Sequence, residues 1–267
     1  MRYKTKGGLA EAYLSNPKGG LLLGQVIVIH EVWGFTKFIS DACERLSRSG
    51  FRAVAPVLYW RNKDLFSAEK VREGMKVVWE LSIEERYQRR KLEAALKRGR
   101  ASSEAASMLR ILYDKRFRGL LIGDLRLLAE SLREQDPGVR AGAVGFSLGG
   151  KLALELAGSH PNLAACVAYS AKTVLGPAVR KIRSPMLLLY GSEDKFTTRD
   201  LPGFVKEAVD KGKDLTLRVF PSAGHEFFDH TNKRGFQAAA AEEAWEESVD
   251  FLTKRLSVDK DRGVSRA

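Results

Sequence analysis

The sequence predicts an α/β protein, with a mostly parallel central sheet flanked by helices. Three observations carry that expectation. Short β-branched runs alternate with stretches of helical length along most of the chain. Gln25–His30 and Met186–Tyr190 are apolar without strict alternation, as strands covered on both faces are. Glycines such as Gly50 and Gly99 fall where the helical stretches stop.

The elements follow in order. Arg2–Thr5 and Leu9–Leu14 read as short strands around a Gly7-Gly8 hairpin turn. Gln25–His30 is the third strand. A helix over Lys37–Ser49 ends at Gly50, and Arg52–Pro56 is the fourth strand. Val139–Val144, Ala165–Tyr169, Met186–Tyr190 and Leu215–Phe220 repeat the strand signature. Helical stretches Leu148–Ala157, Phe204–Asp210 and Ala238–Leu256 lie between or after them. Strand–helix–strand succession gives parallel pairing, because a parallel return needs a crossover.

Between Leu58 and Asp136 no strand is evident. That interval exceeds an ordinary crossover. Its pattern is helical. Ser67–Leu81 forms a first helix, and Ser82-Ile83-Glu84-Glu85 is a capping box opening a second to about Lys97. Ser102 or Ser103 caps a third through Leu112, and Asp124 caps a fourth over Leu125–Arg133. A helical insertion over 62–118 therefore follows the fourth strand. It is either extra helix packed on the sheet edge or a lid over a site. The whole chain, 1–267, reads as one domain, with a frayed polar tail at 257–267.

The chain has 267 residues, 44% hydrophobic, enough to bury a core and too apolar for intrinsic disorder. Lys+Arg 45 against Asp+Glu 33 gives a net charge of +12, which makes nucleic acid the first partner to test. Arg61–Arg118 holds 16 basic and 9 acidic residues, but both signs are interleaved as on an ion-paired helical surface. Asn and Gln number 4 each beside abundant Lys, Arg and Glu, a composition fitting heat adaptation. No apolar run is long enough to span a bilayer, and Met1–Lys6 lacks a signal-peptide core. Cys43 and Cys166 offer no disulfide framework. These features predict a cytoplasmic protein without a membrane partner.

The chemistry-bearing segment is Gly145-Phe146-Ser147-Leu148-Gly149, a G-x-S-x-G between an apolar strand and an apolar helix. A nucleophile on so tight a turn needs glycine on either side, where a β-carbon would strike strand or helix. The helix N-terminus behind it aims N–H groups at a developing oxyanion. Gly145 to Gly150-Lys151 also approaches a phosphate loop, but Leu152 stands where a magnesium-binding hydroxyl belongs.

A serine nucleophile needs a base and an orienting acid, expected in the order Ser, Asp, His. Asp194 follows the Met186–Tyr190 strand, with Glu193 its nearest rival, and His225 follows the Leu215–Phe220 strand. Both fall beyond strand carboxyl ends, where open α/β sheets bind ligands. His160, before Pro161, reads as a helix cap or surface residue, and His230 as solvated. His225-Glu226-Phe227-Phe228-Asp229 lacks the second histidine of a zinc motif, so no metal is expected.

From Gln25 to Leu256 the chain resembles the dienelactone hydrolase family of the α/β-hydrolase superfamily. The resemblance rests on the serine turn, on His30-Glu31-Val32-Trp33-Gly34 and on Ala55–Arg61. It implies an α/β-hydrolase fold, with Glu31 beside Ser147 and influencing its proton. It also implies an oxyanion hole of the Val32 and Leu148 backbone N–H groups. Two departures stand out. Family members proper carry cysteine where Ser147 stands, and Asp229 replaces a carboxylate-binding arginine. Arg72, Trp79 and Trp33 are the candidate substrate contacts. The expected function is hydrolysis of a small carboxylic ester or lactone through an acyl-enzyme, without cofactor. The alternative is a basic nucleic-acid-binding protein on a hydrolase-like fold.

Overall fold

The computed structural model describes residues 1–19 and 22–257. Of the expected tail only Ser257 falls within the described residues. The chain opens with strands β1 (Arg2–Thr5), β2 (Gly8–Ser15) and β3 (Gly24–Ile29), helix α1 (Lys37–Arg48) and strand β4 (Phe51–Pro56). Five helices follow: α2 (Ala68–Val78), α3 (Ile83–Arg86), α4 (Arg89–Arg98), α5 (Ser103–Leu112) and α6 (Lys115–Gln135). Then β5 (Ala141–Phe146), α7 (Leu148–Ser159), β6 (Ala165–Tyr169), α8 (Pro177–Lys181) and β7 (Met186–Gly191) lead to α9 (Lys195–Thr198), α10 (Leu201–Asp210), β8 (Leu215–Phe220) and α11 (Ala238–Leu256).

The eight strands form one sheet in the order β1-β2-β4-β3-β5-β6-β7-β8. β2 runs antiparallel to β1 and β4, and every pair from β4 to β8 is parallel. β3, β6 and β7 are buried along their whole length, as continuous apolar runs require. Two cores sandwich the sheet. One lies under α2 to α8 and α10, around Ile27, Leu125, Leu154 and Tyr190. The other lies under α1 and α11, around Phe38, Phe146, Phe220 and Leu252. Among the described residues no helix is long and apolar enough to cross a membrane.

Several expectations move. β8 is not a buried strand. It is the sheet edge, and Thr216–Val219 are exposed, because among the described residues no strand pairs beyond it. The second insertion helix breaks into α3 and α4 at Tyr87-Gln88, although Ser82 and Glu85 do form the reciprocal capping box. Asp124 caps nothing. Asp114 caps α6 by accepting from the Arg116 N–H at 2.7 Å, so the helix starts ten residues earlier than Leu125.

Asp124 instead lies inside α6 and is buried. Its carboxylate accepts two hydrogen bonds from Arg61 and one from the Trp60 indole at 3.0 Å. A mid-helix aspartate is a poor helix former unless its side chain is engaged elsewhere, and here it ties the start of the insertion to α6. His160 caps the end of α7 but is buried, not at the surface.

Candidate active site

The turn from β5 into α7 sets the site. Ser147 has φ 51° and ψ −109°, a conformation costly for a residue with a β-carbon. The space around it explains the flanking glycines. A β-carbon on Gly145 would lie 2.1 Å from the Gly149 carbonyl oxygen, and one on Gly149 would lie 2.0 Å from that of Ile29. β3, β5 and α7 therefore meet backbone to backbone, and Ser147 is the side chain that projects.

β7 and β8 bring the other two groups. Ser147 Oγ and His225 Nε2 are 2.8 Å apart, and His225 Nδ1 lies 2.7 Å from Asp194 Oδ2. Asp194 is buried at the start of α9, whereas Glu193 is exposed. The Thr197 backbone N–H donates to Asp194 Oδ1 at 3.2 Å, and the Thr197 hydroxyl donates to Oδ2. Burial pushes the Asp194 acidity weaker, but the hydrogen bonds from His225 and Thr197 outweigh it and hold the carboxyl below its ordinary range.

Glu31, at the end of β3, is buried and lines the same cavity as Ser147 and His225. Burial, with the Asp229 and Glu226 charges added, pushes its carboxyl well above the ordinary range. Its neighbour His30 is held neutral by burial, its pKa lowered to about 4. His30 Nδ1 donates to the Glu31 carbonyl at 2.6 Å, and Nε2 accepts from the Leu58 N–H at 3.3 Å, locking the β3 loop to the β4 loop. Val32 and Leu148 both line the cavity. Among the described residues neither backbone N–H donates to a protein acceptor. Leu148 is the first residue of α7, so its amide has no partner within the helix.

The cavity is about 340 Å³ and lies between these groups and the insertion, whose Met75, Trp79, Tyr87 and Leu112 form the far wall. Trp33 lines it too, its indole donating to Glu226 Oε1 at 3.4 Å. Arg72 does not reach it. It sits on the exposed face of α2, because the apolar residues Val71, Met75 and Val78 turn that helix's other face inward. The arginine in the wall is Arg86. Asp229 is also outside the lining. It is buried and accepts from the Thr231 N–H and hydroxyl at 2.8 and 2.7 Å.

Sequence reasoning missed Arg86, Phe196, Thr197 and Lys172, all of which line the cavity. Thr197 alone had a local signal: it stands three residues after Asp194, the spacing of an N-cap and its N3 amide. Phe196 shares that short helix but no local pattern marks it, and Arg86 and Lys172 come from segments distant in sequence.

The fold is that of an α/β hydrolase. The chain belongs to the dienelactone hydrolase family, whose model matches residues 10–256. A "Putative carboxymethylenebutenolidase" of Saccharolobus solfataricus is 32% identical over 253 residues, covering 94% of this chain and 96% of that protein. A crystal structure described as a "Putative Dienelactone Hydrolase" from Klebsiella pneumoniae has a TM-score of 0.70 at 22% identity, covering 95% of this chain and 97% of that one. A "Dienelactone Hydrolase-like Promiscuous" phosphotriesterase from metagenomic libraries has a TM-score of 0.68 at 16% identity, covering 96% and 97%. At these identities the two structures show the fold alone. Nothing in the comparisons supports a nucleic-acid-binding protein. Some of the positive charge of Arg61–Arg118 is paired, as in Lys91–Glu85, Arg110–Glu93 and Arg61–Asp124.

Proposed function

We propose that the protein is a serine hydrolase that cleaves a small carboxylic ester or lactone through an acyl-enzyme on Ser147. The observation that carries this reading is the unbroken relay from Ser147 Oγ to His225 Nε2 at 2.8 Å and from His225 Nδ1 to Asp194 at 2.7 Å. His225 takes the proton as Ser147 Oγ attacks the carbonyl carbon. Asp194 holds the ring in the tautomer with hydrogen on Nδ1 and stabilises the imidazolium that forms. The tetrahedral oxyanion is held by the Val32 and Leu148 N–H groups, and water then releases the acid.

A hydroxyl is a weaker nucleophile than a thiolate, so replacing the family's cysteine by Ser147 places more demand on this relay. The Thr197 bonds answer that demand by fixing the Asp194 carboxylate. Glu31 adds no negative charge beside the nucleophile while protonated. Trp33 and Trp79 contribute apolar surface for the substrate. The insertion over 62–118 acts as a lid that excludes water.

The test is hydrolysis of short p-nitrophenyl esters and of a simple lactone. Ser147→Ala is expected to lower kcat by about a thousandfold or more. Equal rates in wild type and variant would sink the assignment. Covalent labelling by a fluorophosphonate, lost on Ser147→Ala, checks the nucleophile independently.

A further inference from the structure

Besides the α2 and α5 side chains in the cavity wall, the insertion presents one helical turn, α3, that carries two side chains acting on the core. Glu84 bonds Lys172 Nζ at 2.9 Å, and Lys172 also pairs with Asp200. Lys172 is mostly buried on the loop after β6, so this bridge fastens α3 to the core beside the cavity. Arg86, two residues on, is 5% exposed. Among the described residues it pairs with no carboxylate. Its Nε donates to the Leu81 carbonyl at 3.0 Å and its Nη1 to the Tyr113 hydroxyl at 3.1 Å. The rest of its charge faces two rings, with Cζ 5.8 Å from the Tyr113 centroid and 5.4 Å from that of Phe196.

Phe196 is what makes this arrangement consequential. It sits two residues after Asp194 on the four-residue α9, and it is 39% exposed, so no core packing fixes its ring. Besides its contact with Arg86, Phe196 meets the His225 ring edge to face, with centroids 5.9 Å apart at 90°. A buried cation with no counter-ion is costly and contributes little to helix packing that an apolar residue would not. A cation–π contact inside about 6 Å recovers part of that cost and orients the ring it meets.

We infer that Arg86 and Phe196 are positioning residues. Arg86, delivered by the docked insertion, holds Phe196 against His225 and so fixes the imidazole in line with Ser147. The Glu84–Lys172–Asp200 bridge holds α3 in place to do so. The insertion thereby completes the geometry of the base as well as walling the cavity. The inference rests on His225 being the base proposed above.

Arg86→Met, Phe196→Leu and the double variant test it with a neutral short p-nitrophenyl ester. Each single variant is expected to lower kcat about tenfold with KM within about twofold, as small misalignments of a base do. The double variant is expected to be no slower than the slower single one, because both act along one path. Arg86→Lys, which keeps the charge, should recover part of the rate.

Ring-proton NMR gives a readout that needs no activity. Only four histidines are present, so His225 is assignable. Its resonances in Arg86→Met should move toward their position in Phe196→Leu, because the ring current of Phe196 has shifted. Additive losses, an effect confined to KM, or unmoved His225 resonances in Arg86→Met would each overturn the inference. So would a loss seen only with carboxylate-bearing esters, which would make Arg86 an anion-binding group instead. If the wild type hydrolyses no ester, the proposed reaction fails, and the NMR comparison still decides the coupling.

Discussion

The Gly145–Gly149 turn and the helical insertion face each other across one cavity, and they are held by different forces. At the turn, backbone meets backbone. β3, β5 and α7 approach so closely that the glycines leave no space for a methyl group. The insertion is built from amphipathic helices with Val71, Met75, Leu96, Met108 and Leu109 turned inward and an ion-paired outer surface. Sterics allow one solution at the turn, whereas side-chain packing in the insertion tolerates many sequences. The shape of the serine turn is thus fixed by steric exclusion. The shape of the opposite wall depends on which helix faces pack.

The largest expected effect strikes the turn. Gly149→Ala places a β-carbon 2.0 Å from the Ile29 carbonyl oxygen. Backbone atoms must shift, and a loss of about 4 kcal/mol or more is expected, seen as insoluble protein or a collapsed urea midpoint. Gly123→Ala in α6 has nothing within 4 Å of the added carbon. There the same change should stabilise by about 0.5–1 kcal/mol through helix propensity. Similar stability of the two variants would break the contrast.

Next comes the anchor of the insertion. Asp124→Asn leaves Arg61 facing a neutral amide at a buried position. Unfolding by urea should show a loss of about 3 kcal/mol. An unchanged midpoint would mean that apolar packing alone seats the insertion.

The two carboxylates of the site differ in sign with pH. The Asp194 carboxyl is held below its ordinary 3.8, so its contribution is present above that pH and fades as pH falls through the folded-state value. Glu31 is raised well above its ordinary 4.5, so its contribution is complete below that pH and is lost as pH rises through the folded-state value. Glu31→Gln should therefore match wild type in Tm near pH 4 and exceed it near pH 8. A constant Tm gap across that range would contradict the sign.

The smallest effect lies on the insertion surface. Arg110 and Glu93 form a two-bond pair at 2.7 and 2.8 Å, but both side chains are substantially exposed. Glu93→Gln should cost under about 0.5 kcal/mol, less still at high salt. A larger change in the thermal or urea midpoint would mean that surface ion pairs, not packing, hold the insertion.

The same contrast governs what could be read in advance. The turn was legible because G-x-S-x-G between strand and helix has one steric meaning, and Asp194 and His225 follow because they sit just beyond strand ends. The Ser82–Glu85 capping box was legible too, because it joins residues three apart. Asp124 misled because aspartate is a common cap, and only a partner 63 residues away, Arg61, claims it instead. Arg72 looked eligible on its helix, but the Val71, Met75 and Val78 stripe turns the other face of α2 inward. Arg86 was invisible because nothing local says that α3 docks beside the cavity.

The sequence alone determined the succession of the strands and the longer helices, the place of the serine turn and the order of its two partners. These depend on residues near one another in the chain, through alternation, capping and steric exclusion. Tertiary structure decided that β8 lies at the edge, that Asp124 is an anchor, and that Arg86 rather than Arg72 stands in the wall. It also placed Phe196 against both Arg86 and His225. Those outcomes depend on which faces pack across large sequence separations, and packing energy is shared among many side chains with no local signature.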